Sequence, residues 1–293
     1  MANDVAAGKA EKFESMLQDV LYDSYIGSYI ANNQFKWAFN WNDTVHFARF
    51  DKLTISDLAT SYSSITVQDV NLTDETFVLD IRKAGSFEIS DEDYIEMNVS
   101  PDADLITSLR DAYANLYDVE IMKEYANAWY EVDDGDLAAA TNWGSGHSAT
   151  LTNLNVYDLV TAIVQTMDEN NIPSNDRWLV VSPKEKRLLS KAPELLRSTE
   201  LWDKVVTWGF MGDIDWVKIW YSNNIQTVTT VKHLIAWQGR PICFAANIEP
   251  KIQFVTSDKK ADKFTTTVKS QTKFGVKTFT EWAIKLIDVL VTA

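Results

Sequence analysis

Cysteine occurs once in the 293 residues, as Cys243, and histidine three times, as His46, His147 and His233. A single cysteine excludes a disulfide scaffold, and histidines this far apart lack metal-ligand spacing. No apolar run approaches the roughly 18 residues of a membrane-spanning helix. The opening residues, Met-Ala-Asn-Asp-Val-Ala-Ala-Gly-Lys, show no charged region followed by an apolar core, so no secretory signal is expected. Basic residues are the minority: 27 Lys and Arg stand against 42 Asp and Glu, a formal net charge of −15. Such a chain lacks the basic footprint of a tight nucleic-acid binder. What is present is globular. Hydrophobic residues make up 46% and charged residues 24%, enough apolar side chain for a core and too little charge for a disordered chain. The length fits one elaborate domain or two ordinary ones.

Catalytic signatures are also scarce. No G-x-S-x-G, H-E-x-x-H or Walker loop occurs. Gly144-Ser145-Gly146-His147-Ser148-Ala149 matches G-x-G-x-x-A, with Asp168 about 20 residues on. A dinucleotide site needs that string after a strand and opening a helix. Leu137–Trp143 is not strand-like and Asp168 falls late in a helix, so the string reads as a loop. Each histidine reads as a surface or satisfied buried residue, and Cys243, in an apolar patch, as packing. The acidic clusters Asp91-Glu92-Asp93 and Asp133-Asp134-Gly135-Asp136 lack EF-hand spacing and read as solvated turns or contact patches. No catalytic, cofactor-binding or metal residue is nominated, and a non-enzymatic protein is expected.

The charge is uneven. Residues 1–150 hold 27 acidic and 9 basic residues, net −18, and residues 151–293 hold 15 and 18, net +3. Lys251, Lys259, Lys260, Lys263, Lys269, Lys273, Lys277 and Lys285 concentrate the basic excess late. Solvated surface is one reading. Another is an acidic half of one copy meeting a basic segment of the next, which sets register and orientation more than affinity.

The patterning gives an α+β chain. Phe13, Met16, Leu17, Val20 and Leu21 space an amphipathic helix over 9–25. Phe35, Trp37, Phe39 and Trp41 alternate in a strand-like stretch that must dock on its own core or clasp a neighbour. Val45–Phe50, Ile65–Val67 and Phe77–Ile81 are β-rich, with Asn71–Glu75 a polar break, and together suggest a long hairpin with little core of its own. Two apolar stripes over 102–131, Leu105 to Trp129 and Ile106 to Tyr125, predict one helix of about 28 residues, roughly 42 Å long, packing on more than one side. Asp133–Asp136 would end it. Asn155 opens a second amphipathic helix stopped at Asn170–Pro173, Arg177–Val181 is a buried strand, and Ser182-Pro183-Lys184-Glu185 is a capping box with proline at the first helical position. Trp216–Tyr221, Leu234–Trp237, Ile252–Thr256 and Phe264–Val268 are further strands, and Trp282–Val291 is a final apolar element.

This order of elements resembles the major capsid proteins of tailed bacteriophages, the HK97-like fold. Asn42-Asp43-Thr44-Val45 resembles the family's Gly-Asp-Thr-Val turn into its hairpin. Asn155-Val156-Tyr157-Asp158, then Asn171-Ile172-Pro173, then Trp178-Leu179-Val180-Val181-Ser182-Pro183 is similar to its central segment, and Tyr221-Ser222-Asn223-Asn224-Ile225 to its strand ending in Ser-Asn-Asn. The resemblance covers nearly the whole chain.

It implies an N-arm at 1–44, an extended E-loop at 45–88, a peripheral domain with a long spine helix at 89–131 and 248–293, and an axial domain at 132–247. It further implies self-assembly into pentamers and hexamers of an icosahedral shell around double-stranded DNA, without sequence-specific binding, in a virion made in the host cytoplasm. A separate scaffolding protein, a portal and decoration proteins are the partners implied beside the chain itself. No cofactor is implied. Candidate inter-subunit contacts are Phe13, Leu17, Trp37, Trp41, Tyr62, Leu72, Lys259 and Lys260. An encapsulin-type shell holding cargo protein shares the architecture and is the alternative; a nucleotide-dependent enzyme using Gly144 and Gly146 is the other class. In a shell, the surplus acids of the first half are expected on the inner wall, where they would keep packed DNA from sticking.

Overall fold

Period-two alternation makes the first strand. In the computed structural model, β1 (Thr44–Phe50) pairs antiparallel with β2 (Leu72–Val78), Thr44 opposite Val78 and Phe50 opposite Leu72. The structure describes residues 27–39, 43–50, 55, 69–90, 101–138, 146–193, 210–256 and 265–293. The expected helix at 9–25 and the Ile65–Val67 strand lie outside them. Asn71–Glu75 is not the break its polarity suggested, because Leu72–Glu75 belongs to β2. Thr73 and Glu75 sit opposite Arg49 and Phe47, and the Arg49 guanidinium lies 3.8 Å from the Glu75 carboxylate. A strand that carries its own ion pair tolerates a polar sequence.

The aromatic stretch is not a strand. Gly27–Ile30 is a short helix and Lys36–Phe39 a 3₁₀ turn. An extended chain would put Phe35, Trp37 and Phe39 on one face. The turn instead sends Phe35, Ala38 and Phe39 to the core and leaves Trp37 74% exposed. Ile30, Ala31 and Phe39 are buried, so this part of the chain docks on its own subunit. Asp118, buried on the long helix, accepts the Gly27 N–H and anchors the segment.

β3 (Ile81–Ser90) is followed by the long helix, Pro101–Met122, of 22 residues, about 33 Å. It stops short of the expected 131. A 3₁₀ turn, Lys123–Asn127, intervenes, and Tyr130–Val132 becomes β4, paired in parallel with the last strand, Leu286–Thr292. Asp133–Asp136 does not end the helix but closes a turn of its own, with the Asp133 carboxylate accepting from Gly135 N–H (2.8 Å) and the Asp136 carboxylate from Asp133 N–H (3.0 Å). Of the two stripes, the second packs within the subunit, joined by Met122 of the first. Tyr113 and Ile121 are buried, and the Tyr113 and Tyr117 hydroxyls bond those of Ser270 (2.8 Å) and Thr272 (2.7 Å). Ala112, Ala126 and Trp129 from the first stripe are exposed.

The remaining strands are β5 (Arg177–Val181), β6 (Phe210–Ile214), β7 (Val217–Tyr221), β8 (Gln226–Val228), β9 (Val231–Gln238), β10 (Ile242–Thr256), β11 (Thr265–Thr278) and β12 (Leu286–Thr292). The large sheet runs β4-β12-β9-β5-β7-β6, with β8 beside β9; a second sheet runs β10-β11-β3. The expected late strands are thus real but longer, and Trp216 belongs to the β6–β7 turn rather than to β7.

The large sheet is covered on both faces. The Val156–Glu169 helix, which starts after Asn155 as expected, lays Val156, Leu159, Val160, Ile163 and Met167 over Leu179, Val181, Ile219, Leu234, Ala236 and Val289. Val180, Ile235, Trp237 and Leu286, on the other face, meet Ile30, Ile121, Met122 and Ile242. Arg177, 2% exposed, bonds the Asp168 carboxylate and the Ile172 carbonyl (2.6 Å each) and the Pro173 carbonyl (3.0 Å), which fixes the turn after that helix. The capping box at Ser182 forms differently from its pattern. The Ser182 hydroxyl donates to the Glu185 carboxylate, and the Lys232 ammonium reaches both (3.0 and 3.3 Å).

One His–Asp pair lies between the large sheet and the turn after the long helix. His233 Nδ1 and the Asp288 carboxylate are 2.8 Å apart, and the Tyr125 ring stacks on His233. Burial pushes the Asp288 carboxyl from 3.8 up to about 6, against the hydrogen bond and charge of His233 and with a small upward push from Glu131. The folded state therefore holds this proton more tightly than the unfolded chain. The stabilisation is complete below pH 4 and is lost as pH rises through 6. Asp288→Asn should narrow the stability deficit at neutral pH. The wild-type-minus-variant difference in unfolding free energy should shift by on the order of 2–3 kcal/mol between pH 4 and 7. Urea titrations at the two pH values measure it, and a flat difference would refute the assignment.

Candidate assembly surface

The β1–β2 hairpin has two unlike faces. Val45, Phe47 and Phe77 turn inward to Phe35, Phe39, Leu79 and Phe279, with ring centroids 4.7 Å apart for Phe35–Phe47, 5.0 Å for Phe39–Phe77 and 5.1 Å for Phe47–Phe279. The opposite face holds Ala48, Phe50, Leu72 and Val78, with the exposed His46–Asp74 pair (2.7 Å) among them. Phe50 and Leu72, a cross-strand pair at the far end of the ladder, are 70% and 59% exposed, and Val70 and Ile55 beyond them are exposed too. Scattered exposed apolar side chains are ordinary, but an exposed apolar cross-strand pair at the end of a two-stranded ribbon is a candidate contact surface.

Polar links fasten the ribbon to the body. The Asp43 carboxylate pairs with Lys273 and lies 4.0 Å from Arg82, Leu79 N–H bonds the Asp43 carbonyl at 2.9 Å, and Lys277 donates to the Thr76 carbonyl. Arg49 lies 3.2 Å from Glu281. At the base, β11 approaches β2 closely at Gly275. A Cβ there would enter the shell of the Val78 carbonyl oxygen and sit 3.1 Å from Leu79 Cδ2 and Phe77 Cε2.

Of the contact residues read from the sequence, Trp37 and Leu72 are exposed. Phe13, Leu17, Trp41, Tyr62, Lys259 and Lys260 lie outside the described residues. Sequence reasoning missed Phe50, although a signal existed. In Val45–Phe50 the inward phase is 45, 47, 49, and Phe50 is a large apolar residue out of phase. Trp216, 81% exposed in the tight turn between β6 and β7, was missed because it reads as the start of an apolar strand.

The chemical candidates resolve into structure. Gly146, at φ 83°, is followed by a bridge at Ala149 rather than a helix, so its backbone does not make the dinucleotide cradle. Gly144 lies outside the described residues. Asp168, the acid at the right distance for a ribose, is held by Arg177. Cys243 is fully buried, and burial, with a smaller push from Glu124, raises its thiol to about 12, which keeps it protonated and inert. Among the described residues no group of three or more His, Cys, Asp and Glu is placed to hold a metal, and no helix is long and apolar enough to cross a membrane.

The family's sequence signatures fall at joints of the fold. Asp43-Thr44-Val45 is the hairpin base. Ser222, buried, follows β7, and its hydroxyl accepts Asn224 N–H at 3.1 Å while the Asn224 side chain bonds Asn115 of the long helix at 2.7 Å. No family of sequences and no curated protein matches the chain. Solved structures do. A structure from Mycobacterium phage Che8 superposes with a TM-score of 0.77 at 15% identity, covering 99% of this chain and 98% of that one. The capsid of cyanophage P-SCSP1u gives 0.71 at 13%, covering 100% and 95%. The capsid of Ralstonia phage GP4 gives 0.68 at 13%, covering 100% and 98%. The class is thereby defined: this chain has the HK97-like fold of phage capsid subunits over its whole length.

The hairpin seat gives a direct test. Gly275→Ala should lower the unfolding free energy by about 1–3 kcal/mol, the usual cost of overpacking against backbone. Urea denaturation measures it, and an unchanged midpoint would mean that the ribbon base is not fixed by this approach.

Proposed function

We propose that the chain is a major capsid protein of a tailed phage. Copies join as pentamers and hexamers into an icosahedral shell that encloses double-stranded DNA, and the protein resides in the virion as a structural, non-enzymatic component. The observation that carries this reading is the ribbon itself, a two-stranded hairpin whose far end exposes the apolar pair Phe50 and Leu72, on a fold shared with phage capsid subunits. A two-stranded ribbon is marginal alone, and its outer face gains burial by lying on a neighbouring subunit. In a closed shell such contacts repeat by symmetry, so none need be strong singly.

In this reading residues 1–44 are the N-arm, 45–88 the E-loop, 89–131 and 248–293 the peripheral domain with the long helix as spine, and 132–247 the axial domain. β3 pairs with β11 and β12 with β9, so in this reading β3 would join the peripheral sheet and β12 the axial one. The acidic excess of the first half suits an inner wall that repels packed DNA.

Replacing residues 52–70 by a short Gly-Ser turn leaves the β1–β2 ladder in place. The variant should remain a folded subunit, by circular dichroism, yet fail to close shells. Phe50→Ser with Leu72→Ser should act the same way while changing subunit stability by no more than about 0.5 kcal/mol, as exposed sites do. Electron microscopy of the expressed proteins is the readout, and normal polyhedral particles from both would refute the reading. Genome-length DNA inside wild-type particles supports a capsid over a cargo-protein shell.

A further inference from the structure

Three neighbouring loops at one end of the large sheet carry left-handed backbone. Arg177 is in register with both Val217 and Gln238, so the residues just outside these positions lie side by side. They are Asp176 (φ 57°), the turn Asp215-Trp216 (φ 51° and 66°) and Gly239 (φ 69°). Only the last is a glycine. A left-handed tryptophan is a conformational outlier, and such backbone strain clusters where a loop is held for a purpose. Trp216 is also almost wholly exposed at its turn.

Beside these loops opens a cleft of about 680 Å³, lined by Asn33, Gln34, Asp176, Arg240, Trp282 and Lys285. Strands about 4.8 Å apart put Trp216 roughly 10 Å from the Gly239 edge of this cleft. Asp176 is already committed: its carboxylate accepts from the Trp178 indole (2.9 Å) and the Lys218 ammonium (3.0 Å). Arg240 and Lys285 have no carboxylate partner among the described residues. The cleft therefore presents two cations with no carboxylate partner among the described residues, amide side chains and an aromatic wall, with an exposed tryptophan alongside.

We propose that this loop end docks a second copy of the chain. Arg240 and Lys285 receive carboxylates from the second copy's acidic first half, and Trp216 is the aromatic anchor. Charge complementarity selects that occupant: the chain itself supplies, in equal number, a segment of net charge −18 over residues 1–150. A buried tryptophan flanked by charge-assisted hydrogen bonds is a common form of interface hot spot. As one of the contacts a shell requires, this one rests on the capsid reading for its place, though it can be measured without shells.

The test uses the full chain, with Arg240→Glu/Lys285→Glu and Trp216→Ser as variants and Arg240→Ala/Lys285→Ala as a milder pair. None of these side chains makes an ion pair among the described residues, so thermal melts should match the wild type. Sedimentation should show self-association weakened roughly tenfold or more by the charge reversal and by Trp216→Ser. The salt dependence of association should shrink in the alanine pair. Carbodiimide coupling of mixed ¹⁵N-labelled and unlabelled chains should join Lys285 of one copy to a carboxylate in residues 1–150 of another. Association equal to wild type in folded variants, or coupling of Lys285 only within its own copy or only to residues after 150, would overturn the contact. Polyhedral particles formed unchanged by the variants would sink the contact and leave the capsid reading standing. Oligomers sensitive to the variants without polyhedral particles would do the reverse.

Discussion

Burial of the large sheet on both faces is the constraint on which the rest depends. β5 and β9 lie at its centre, and their side chains alternate between two cores, Leu179, Val181, Leu234 and Ala236 on one side and Val180, Ile235 and Trp237 on the other. Each such aliphatic residue is worth about 1.5–3 kcal/mol when fully buried. One face needs the Val156–Glu169 helix. The other needs the end of the long helix and the segment around Ile30. Because β9 runs directly through the Gly239–Pro241 turn into β10, the second sheet is placed by the first. The last strand, β12, closes the arrangement by pairing with β9 and β4, residues distant in sequence.

The hairpin follows from that frame and departs from it. Its base is packed where Gly275 meets Val78 and where Phe39, Phe77 and Phe279 meet edge to face. Farther out, ion pairs replace rings, and at the far end Phe50 and Leu72 are exposed. Stability thus declines along the ribbon while apolar exposure rises. A single subunit gains little from such a feature. In the proposed shell each copy would gain a contact from it, on a fold shared with phage capsid structures.

Charge works at a different level. The formal charge of −15 lacks the basic footprint of a tight nucleic-acid binder. Within the subunit few ions matter for packing. Arg177 with Asp168, and Lys232 with Glu185, fix joints next to β5. Asp118 and Lys273, also buried, tie the Gly27 segment and the ribbon base to the body.

Strong periodicity made much of the fold legible. The Val156–Glu169 helix, the Arg177–Val181 strand, the proline-started helix after Ser182 and the order of elements were readable from side-chain spacing, and the motifs at Asp43, Asn155 and Ser222 were enough to identify the class. Spacing misled where tertiary contacts override local preference. Lys36–Phe39 coils because three aromatic or small side chains must reach one core while Trp37 does not. The long helix yields at Met122 because Tyr130–Val132 is captured by β12. Leu72–Glu75 is strand because its partner β1 is. By itself the sequence determined composition, charge balance and the elements whose apolar faces repeat at a fixed period, since these depend on neighbours along the chain. Only the tertiary structure decided where elements stop and which apolar residues stay outside, because strand pairing and burial are settled by residues far away in sequence. Phe50 and Trp216 look like core residues in the chain and become surface in the fold.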